Sequence, residues 1–234
     1  MSLPPDLTDR AALARNRARA LARGAELFLH EDAAAEAKER LSEVNKTFTK
    51  PAVVAVFPGP WREILPDARI IADDEVLALE EGAHDLVIHA LSLHWANDPV
   101  GQLIQCRRAL RPDGLFLGVM FGGQTLAELR AALAEAESRL TGGLSPRVLP
   151  MAEIRDLGAL LQRADFALPV ADAVKRTVTY ATMFHLIADL RAMGEGNALA
   201  RRSRRATPRA LFPEAAARYA EAYSAGGGRI AATF

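Results

Sequence analysis

The sequence predicts an α/β fold built on a doubly wound, mostly parallel sheet. Two observations lead to this prediction: short apolar runs alternate with amphipathic segments along most of the chain, and half of the 234 residues are hydrophobic. Helices cover both faces of a parallel sheet, so its strands read as continuous apolar runs. The chain is long enough for one domain with a sizeable core and a helical appendage.

The N-terminal part is predicted to be helical. Residues 8–23 and 31–47 place apolar side chains at helical spacing and carry little strand signal, so we expect residues 1–50 to form an N-terminal helical cap. The first of these segments is rich in Arg and Ala, like an organelle transit peptide, but acidic residues lie on both sides of it. An exposed amphipathic helix is therefore the favoured interpretation.

The sheet is predicted to begin after Pro51, which ends the second helix. Its first candidate strands are three apolar runs, residues 52–57, 69–72 and 84–90. Asp98 and Pro99 then provide the N-cap and the first residue of a helix. A turn at Arg111–Gly114 leads into a further apolar strand at Leu115–Phe121.

The second half of the chain continues the alternation. Thr125 and Glu128 fit a capping box for the next helix. A strand is predicted at residues 177–180, and helices at 184–193 and 214–223. We therefore expect residues 51–234 to form the sheet domain, with a helical insertion and C-terminal helices around residues 184–224.

Composition limits the possible partners and compartments. Lys plus Arg and Asp plus Glu both number 29, so no net charge favours nucleic acid. The single Cys106 cannot form an internal disulfide, which favours a reducing compartment, and we predict a cytoplasmic protein. No apolar run approaches the roughly 20 residues that a membrane span needs, so we expect a soluble or at most peripheral protein, with oligomers possible.

Several motifs carry a resemblance to a known family. Residues 84–98 (HDLVIHALSLHWAND) and 110–114 (LRPDG) resemble the second half of a class I S-adenosylmethionine-dependent methyltransferase domain. Residues 120–130 (MFGGQTLAELR) and 193–197 (MGEGN) are similar to the methyltransferase-like complex I assembly factor family. The malonyl carrier-protein methyltransferase of biotin synthesis is a more distant relative. The resemblance covers nearly the whole chain.

The resemblance implies a Rossmann-like methyltransferase fold with S-adenosylmethionine as cofactor. It also implies a protein substrate or a respiratory-complex subunit as partner, because a family member is implicated in hydroxylating an arginine of an iron–sulphur subunit of complex I. Methylation, hydroxylation and the absence of catalysis all stay open. The alternative to a methyltransferase is a non-catalytic pseudo-methyltransferase that acts as an assembly or interaction factor.

Three departures from the family pattern bear on the cofactor site and the sheet. The glycine-rich loop after the first strand is replaced by Phe57-Pro58-Gly59-Pro60-Trp61, where side chains stand in place of bare backbone. Too few residues separate Gly59 from Asp73 for the usual helix, strand and helix, so one strand–helix unit is predicted to be missing. Relatives continue into a final strand after residues 228–234, so we expect the sheet to lack a full edge partner.

The candidate cofactor-binding residues are Gly59, Asp73, Asp74, Leu91 and Ser92. By resemblance, Asp73 and Asp74 match the acidic turn that contacts the adenine amine in relatives; an exposed loop is the equally favoured alternative. Leu91 and Ser92 follow the third strand at its carboxyl end, where doubly wound sheets bind ligands.

His94 is a weak candidate for a catalytic residue. It could orient or deprotonate a substrate near neutral pH, but a structural histidine packed beside Trp95 is the favoured interpretation. The basic loop at residues 201–205 is either a solvated loop or a docking surface for an acidic protein or anionic lipid. The sequence offers no metal-ligand cluster, Walker-type phosphate loop or nucleophile elbow.

Overall fold

The computed structural model describes residues 6–234, which form two compact units. The first unit contains the described residues up to Glu26, together with Gly122–Met151 and Ala173–Phe234. The second contains Leu27–Phe121 and Ala152–Asp172. These units cut across the predicted boundary at residue 50, because the first predicted helix lies in one unit and the second helix in the other. The division into 1–50 and 51–234 therefore stays a prediction.

Helices and strands alternate through most of the chain. The helices are α1 (Arg10–Ala22), α2 (Phe28–Glu43), α3 (Gly59–Ile64), α4 (Pro99–Ala109), α5 (Ala127–Thr141), α6 (Ile154–Arg163), α7 (Met183–Ala192) and α8 (Leu211–Ala222). The strands are β1 (Pro51–Ala55), β2 (Arg69–Ile71), β3 (His84–Ala90), β4 (Leu110–Val119), β5 (Thr177–Tyr180), β6 (Ser224–Gly226) and β7 (Arg229–Thr233). A short 3-10 turn covers Leu93–Trp95.

The second unit contains a four-stranded parallel sheet in the order β2-β1-β3-β4, which confirms the predicted fold class. One helix of six residues, α3, joins β1 to β2, and no helix lies between β2 and β3. This short connection agrees with the prediction that one strand–helix unit is missing. The predicted cap of α4 is also present, since the Asp98 carboxylate accepts a hydrogen bond from the Gly101 amide at 2.8 Å.

Successive residues of β1 point to opposite faces of this sheet. Val53 and Ala55 belong to a core cluster that includes Trp61 of α3 and two alanines of α2. Ala52 and Val54 belong to a second cluster with Cys106 and Ala109 of α4. Helices therefore cover both faces, and this explains why the strand reads as an uninterrupted apolar run.

The first unit contains a separate antiparallel sheet in the order β5-β7-β6. The strand predicted at residues 177–180 is present, but it belongs to this sheet and not to the parallel one. Residues 229–233 form its central strand, β7. Among residues 6–234, no strand pairs with the outer side of β4 in the parallel sheet.

The start of α5 differs from the predicted capping box. The helix begins at Ala127, after Leu126 adopts a left-handed conformation with φ 55°. The Thr125 hydroxyl donates to the Gly122 carbonyl, and the Glu128 carboxylate accepts from the Thr233 amide and hydroxyl. The prediction failed because β7, which is distant in sequence, provides the partner for Glu128.

Candidate functional site

The carboxyl ends of β1, β2, β3 and β4 meet at one edge of the parallel sheet, since all four strands run in the same direction. The segments that follow β1, β2 and β3 carry all five predicted cofactor-binding residues: Gly59, Asp73, Asp74, Leu91 and Ser92. His94 follows two residues after Ser92. This edge is the candidate functional site.

The segment after β1 is filled by its own aromatic side chains. Phe57 is 2% exposed and its ring meets the ring of His30 at 5.0 Å, edge to face. Trp61 is fully buried in the core cluster of α2, β1 and β3. Gly59 lies between them as an exposed first residue of α3, and its backbone has no positive φ that would require glycine.

The segment after β2 contains the two acidic candidates in different environments. Asp73 is buried, with 8% of its surface exposed, whereas Asp74 is exposed. The Asp74 carbonyl accepts a hydrogen bond from the Gln102 side-chain amide at 2.9 Å. Asp73 and Asp74 thus differ in burial, and their contact with a cofactor stays a prediction.

A second glutamine of α4 holds the same loop further along. The Gln105 side chain accepts from the Leu77 amide at 2.7 Å and donates to the Glu75 carbonyl at 3.1 Å. Gln102 and Gln105 thus hydrogen-bond to the backbone of residues 74–77 and fix this loop against α4. Fixing the backbone in this way orders the loop without a ligand.

The segment after β3 turns sharply. Leu91 has φ 46°, a left-handed conformation that is costly for a branched side chain, and its amide donates to the Val119 carbonyl of β4 at 2.8 Å. The reversal brings the Ser92 hydroxyl to 3.5 Å from His89 Nδ1. Both Ser92 and His89 are completely buried.

His89 connects the end of β3 to Gln102 of α4. Its Nε2 lies 2.9 Å from Gln102 Oε1, and the Gln102 amide nitrogen is used by the Asp74 carbonyl. Since Oε1 can only accept, His89 donates from Nε2, and its Nδ1 faces the Ser92 hydroxyl. Ser92, His89, Gln102 and the Asp74 backbone therefore form one buried hydrogen-bonded chain.

His94 lies among aromatic rings. Its imidazole is 7% exposed, and its centroid lies 5.8 Å from the Trp95 ring and 5.1 Å from the Phe121 ring. His94 therefore packs beside Trp95 and Phe121. The catalytic role of His94 stays a prediction.

The residues after β1 do not fit the cofactor that the fold implies. In the family pattern S-adenosylmethionine lies against the bare backbone of several glycines, whereas here Gly59 is the single glycine and lies between the buried side chains of Phe57 and Trp61. Pro58 and Pro60 also lack the amide hydrogens that a ligand would use. The loop after β2 and the end of β3 are ordered. The residues that do not fit the cofactor therefore lie only on the side of the site that follows β1.

Sequence reasoning missed His89, Gln102 and Gln105. Each is a polar residue at a position where the neighbouring pattern is apolar: His89 lies inside a buried strand, and Gln102 lies one helical turn before buried Cys106. A buried polar side chain needs a hydrogen-bonding partner, so these interruptions of the apolar pattern are the signal that could have revealed them.

Comparison with known sequences places the chain in a class of protein. Residues 11–118 match the methyltransferase domain family. Together with the parallel sheet, this match confirms the predicted relationship to the class I S-adenosylmethionine-dependent methyltransferase superfamily.

Individual relatives are consistent with the narrower resemblance. The chain is 44% identical to the mitochondrial arginine-hydroxylase NDUFAF5 of Mus musculus over 170 residues, which cover 73% of this chain and 49% of that protein. The Homo sapiens protein of the same name is 42% identical over the same share of each chain. A malonyl-[acyl-carrier protein] O-methyltransferase of Laribacter hongkongensis is 37% identical over 137 residues, 58% of this chain and 44% of the relative. The chain thus spans about half the length of the curated relatives it matches.

The predicted cytoplasmic location is wrong. The arginine-hydroxylase relatives of mouse, rat and human are mitochondrial proteins, and this finding contradicts the prediction. The prediction rested on a single buried cysteine, which distinguishes a reducing from an oxidising compartment but does not separate one reducing compartment from another.

Residues 6–234 were compared with the requirements of a membrane span and of a metal site. Among these residues, no helix is both long and apolar enough to cross a bilayer. The same residues contain no group of three or more His, Cys, Asp or Glu side chains arranged to hold a metal ion.

Proposed function

We propose that this chain is a methyltransferase-like protein that acts on a protein substrate during the assembly of respiratory complex I. The observation that carries this proposal is the 44% identity to an arginine hydroxylase over 73% of the chain. The ordered loops after β2 and β3 support it, since they keep one side of the candidate site in a fixed geometry. The family resemblance supplies the complex I partner, in which an iron–sulphur subunit is the expected substrate.

Affinity capture tests the protein partner. A tagged chain is expressed in a respiring cell that contains a related complex I, and the captured proteins are identified by mass spectrometry. Recovery of an iron–sulphur subunit of complex I is the expected result. Capture that is reproducible but lacks every complex I subunit would overturn the proposal.

A second candidate function is a non-catalytic interaction factor, and the filled segment after β1 favours it. Phe57 and Trp61 are buried core side chains in the segment where the family pattern has several glycines. In this case the protein holds the same kind of partner without chemical modification. S-adenosylmethionine is then not required for capture of the partner.

Calorimetric titration with S-adenosylmethionine and S-adenosylhomocysteine separates the two candidates. Micromolar binding that is lost in Asp73→Ala but kept in Asp67→Ala supports the methyltransferase-like function. Asp67 is the matched control because it is an exposed carboxylate that precedes β2, away from the carboxyl edge of the sheet. Absence of heat at millimolar cofactor in a folded sample supports the interaction factor.

A further inference from the structure

The two units of the chain carry opposite net charges. The first unit has eight more Lys and Arg residues than Asp and Glu residues, and the second unit has eight fewer, so the equal totals of the whole chain hide a difference within it. Five arginines of the first unit lie in the loop between α7 and α8: Arg201, Arg202, Arg204, Arg205 and Arg209. This arginine loop, residues 198–210, contains no acidic residue.

Contacts within the first unit hold the arginine loop in place. At its start, the Ala200 amide donates to the Leu7 carbonyl at 2.9 Å. Further along, Arg147 donates to the Thr207 hydroxyl at 3.3 Å, and the same guanidinium pairs with buried Glu137 at 2.7 Å. The loop is therefore tied to the fold on both sides of its first four arginines.

The arginine loop already binds a carboxylate of its own chain. Asp9 Oδ2 lies 2.8 Å from Arg202 Nη2 and 3.1 Å from Arg204 Nη2. The other oxygen of Asp9 accepts from the Ala12 amide at 2.9 Å. The hydrogen bonds from the Ala12 amide and from Arg202 hold the pKa of Asp9 well below its ordinary value, so this carboxylate stays ionised. Two arginines share one carboxylate, which leaves a positive charge at this pair.

Three further arginines of the loop have no carboxylate partner. Arg201, Arg205 and Arg209 are exposed, and among residues 6–234 none of their side chains forms an ion pair. The guanidinium fork of arginine matches the geometry of a carboxylate. Because the loop is fixed, binding at these positions requires little ordering of the backbone. The contact with Asp9 shows the kind of group that the loop binds.

The composition of the loop favours a protein carboxylate over a nucleic acid or a membrane. Only Ser203, Ala206, Thr207 and Pro208 lie between the arginines. None of these is aromatic, so the loop has no ring to stack on bases. Residues 198–210 also have no exposed large apolar side chain that could enter a lipid surface. An acidic segment of a partner protein needs neither feature.

We propose that the arginine loop is the docking surface for an acidic segment of a protein partner, whose Asp and Glu side chains bind Arg201, Arg205 and Arg209. The inference rests on the protein partner that both candidate functions share, and it adds that the bound segment is acidic. Exposed ion pairs are individually weak and are screened by salt. Several pairs must therefore act together, and the interaction must weaken as the salt concentration rises.

Fluorescence anisotropy of a labelled hexaglutamate peptide tests this proposal on the full chain. The loop variant removes the three unpaired charges and keeps the contacts of Asp9: Arg201→Gln, Arg205→Gln and Arg209→Gln. The matched control removes the same charge from three exposed side chains of the same unit outside the loop: Arg139→Gln, Lys175→Gln and Arg191→Gln. At low salt the peptide should bind the wild type and the control alike, and should bind the loop variant about tenfold more weakly.

Circular dichroism melting shows whether the variants stay folded, as expected for exposed side chains without ion pairs. If the loop variant melts at a lower temperature than the wild type, its three single variants are titrated instead. Each of them should weaken peptide binding by about twofold.

Two other probes distinguish the source of the bound anion. They are vesicles of equal parts phosphatidylcholine and phosphatidylglycerol, and a single-stranded hexanucleotide. The loop substitutions should weaken binding of the peptide more than binding of either probe. A larger loss for the vesicles or for the hexanucleotide would assign the loop to lipid or to nucleic acid and would overturn the proposal.

Two outcomes of the peptide titration also overturn the proposal. The first is a wild-type chain that does not bind the peptide. The second is an equal loss of affinity in the loop variant and the control, which would mean that the net charge of the unit is responsible and not the loop.

Affinity capture from the respiring cell separates this inference from the proposed function. A loop variant that recovers the complex I subunit as well as the wild type does would disprove docking at the loop and leave the proposed function standing. If the wild type recovers no complex I subunit, the proposed function fails, and the peptide titration still decides whether the loop binds acidic segments.

Discussion

The two sides of the candidate site are built in opposite ways. After β1 the chain uses aromatic side chains to fill space, and Phe57 and Trp61 are buried in the core. After β2 and β3 it uses hydrogen bonds, since Gln102 and Gln105 hold the loop after β2 and His89 contacts the buried turn after β3. A site that binds a ligand needs ordered polar groups and open space together. Ordered polar groups are present on the side that follows β2 and β3.

The largest expected effect on stability is that of substituting Trp61 in the segment after β1. Trp61→Ala should lower the free energy of unfolding by about 3–5 kcal/mol, because it removes a fully buried side chain from the core cluster. Trp61→Phe should cost only about 1 kcal/mol. The indole N–H of Trp61 has no acceptor among the described residues, so its loss carries no hydrogen-bond penalty. Urea denaturation measures both values.

Arg62→Ala is the control for this pair, since Arg62 is an exposed neighbour in the same helix. It should leave the urea midpoint nearly unchanged. An equally small effect of Trp61→Ala would show that the segment after β1 is not core, and the contrast between the two sides would disappear.

The next largest effect is expected for Gln102, which holds the loop after β2. Gln102→Leu should destabilise the protein by about 2 kcal/mol, because buried His89 and the Asp74 carbonyl both lose a hydrogen-bonding partner. Gln102→Glu keeps an acceptor for His89 but cannot donate to the Asp74 carbonyl. It should therefore loosen the loop after β2 while keeping the contact with His89, which Gln102→Leu removes as well. Hydrogen exchange in residues 72–79 measures the loosening. Unchanged exchange in both variants would show that Gln102 does not hold the loop.

The fold was predictable because its signals are local. The apolar run of β3 and the Asp98–Pro99 start of α4 can be read within a few residues, and both are present in the structure. Strand pairing is less local: the sequence located β5 but not its antiparallel partner, which lies about 50 residues further along the chain. The capping box failed for the same reason, because Glu128 bonds to Thr233.

The candidate site was predictable only in position. Parallel strands bring their carboxyl ends to one edge, so Asp73, Asp74 and Ser92 could be assigned to the same region from their place after each strand. The hydrogen-bonded chain through His89 and Gln102 could not be predicted, because it joins the end of β3 to an inward position of α4. Which side chains meet there depends on the register of the helix on the sheet.

A smaller effect is expected at the amino ends of β1 and β3, which lie opposite the candidate site. The Asp85 carboxylate accepts hydrogen bonds from the Thr49 amide at 2.7 Å and the Lys50 amide at 2.9 Å. Burial raises the pKa of Asp85, but the hydrogen bonds from Thr49 and Lys50 outweigh it and hold the pKa below its ordinary value. Asp85→Asn should therefore cost about 1 kcal/mol at pH 7.

The pH dependence of this effect has a defined sign. A lowered pKa in the folded state means that folding favours the ionised carboxylate, so the contribution of Asp85 is present above the ordinary Asp pKa. It is lost as the pH falls through the lowered value. The stability difference between wild type and Asp85→Asn should shrink from pH 7 to pH 2, with Asp67→Asn as the control. A constant difference would show that the anchor at this edge does not depend on charge.

The smallest expected effect is the lack of reaction at Cys106, which tests whether α4 stays closed on the sheet. Cys106 lies one helical turn after Gln102 and packs against Ala52 and Val54 of β1. Burial raises the pKa of its thiol to about 12, so at pH 8 only about one ten-thousandth is thiolate, the reactive form. A thiol reagent should label native protein no faster than it unfolds, and should label one thiol per chain in denaturant. Rapid labelling of the native protein would mean that α4 opens frequently. The loop at residues 74–77, which Gln102 and Gln105 of α4 hold, would then not be fixed.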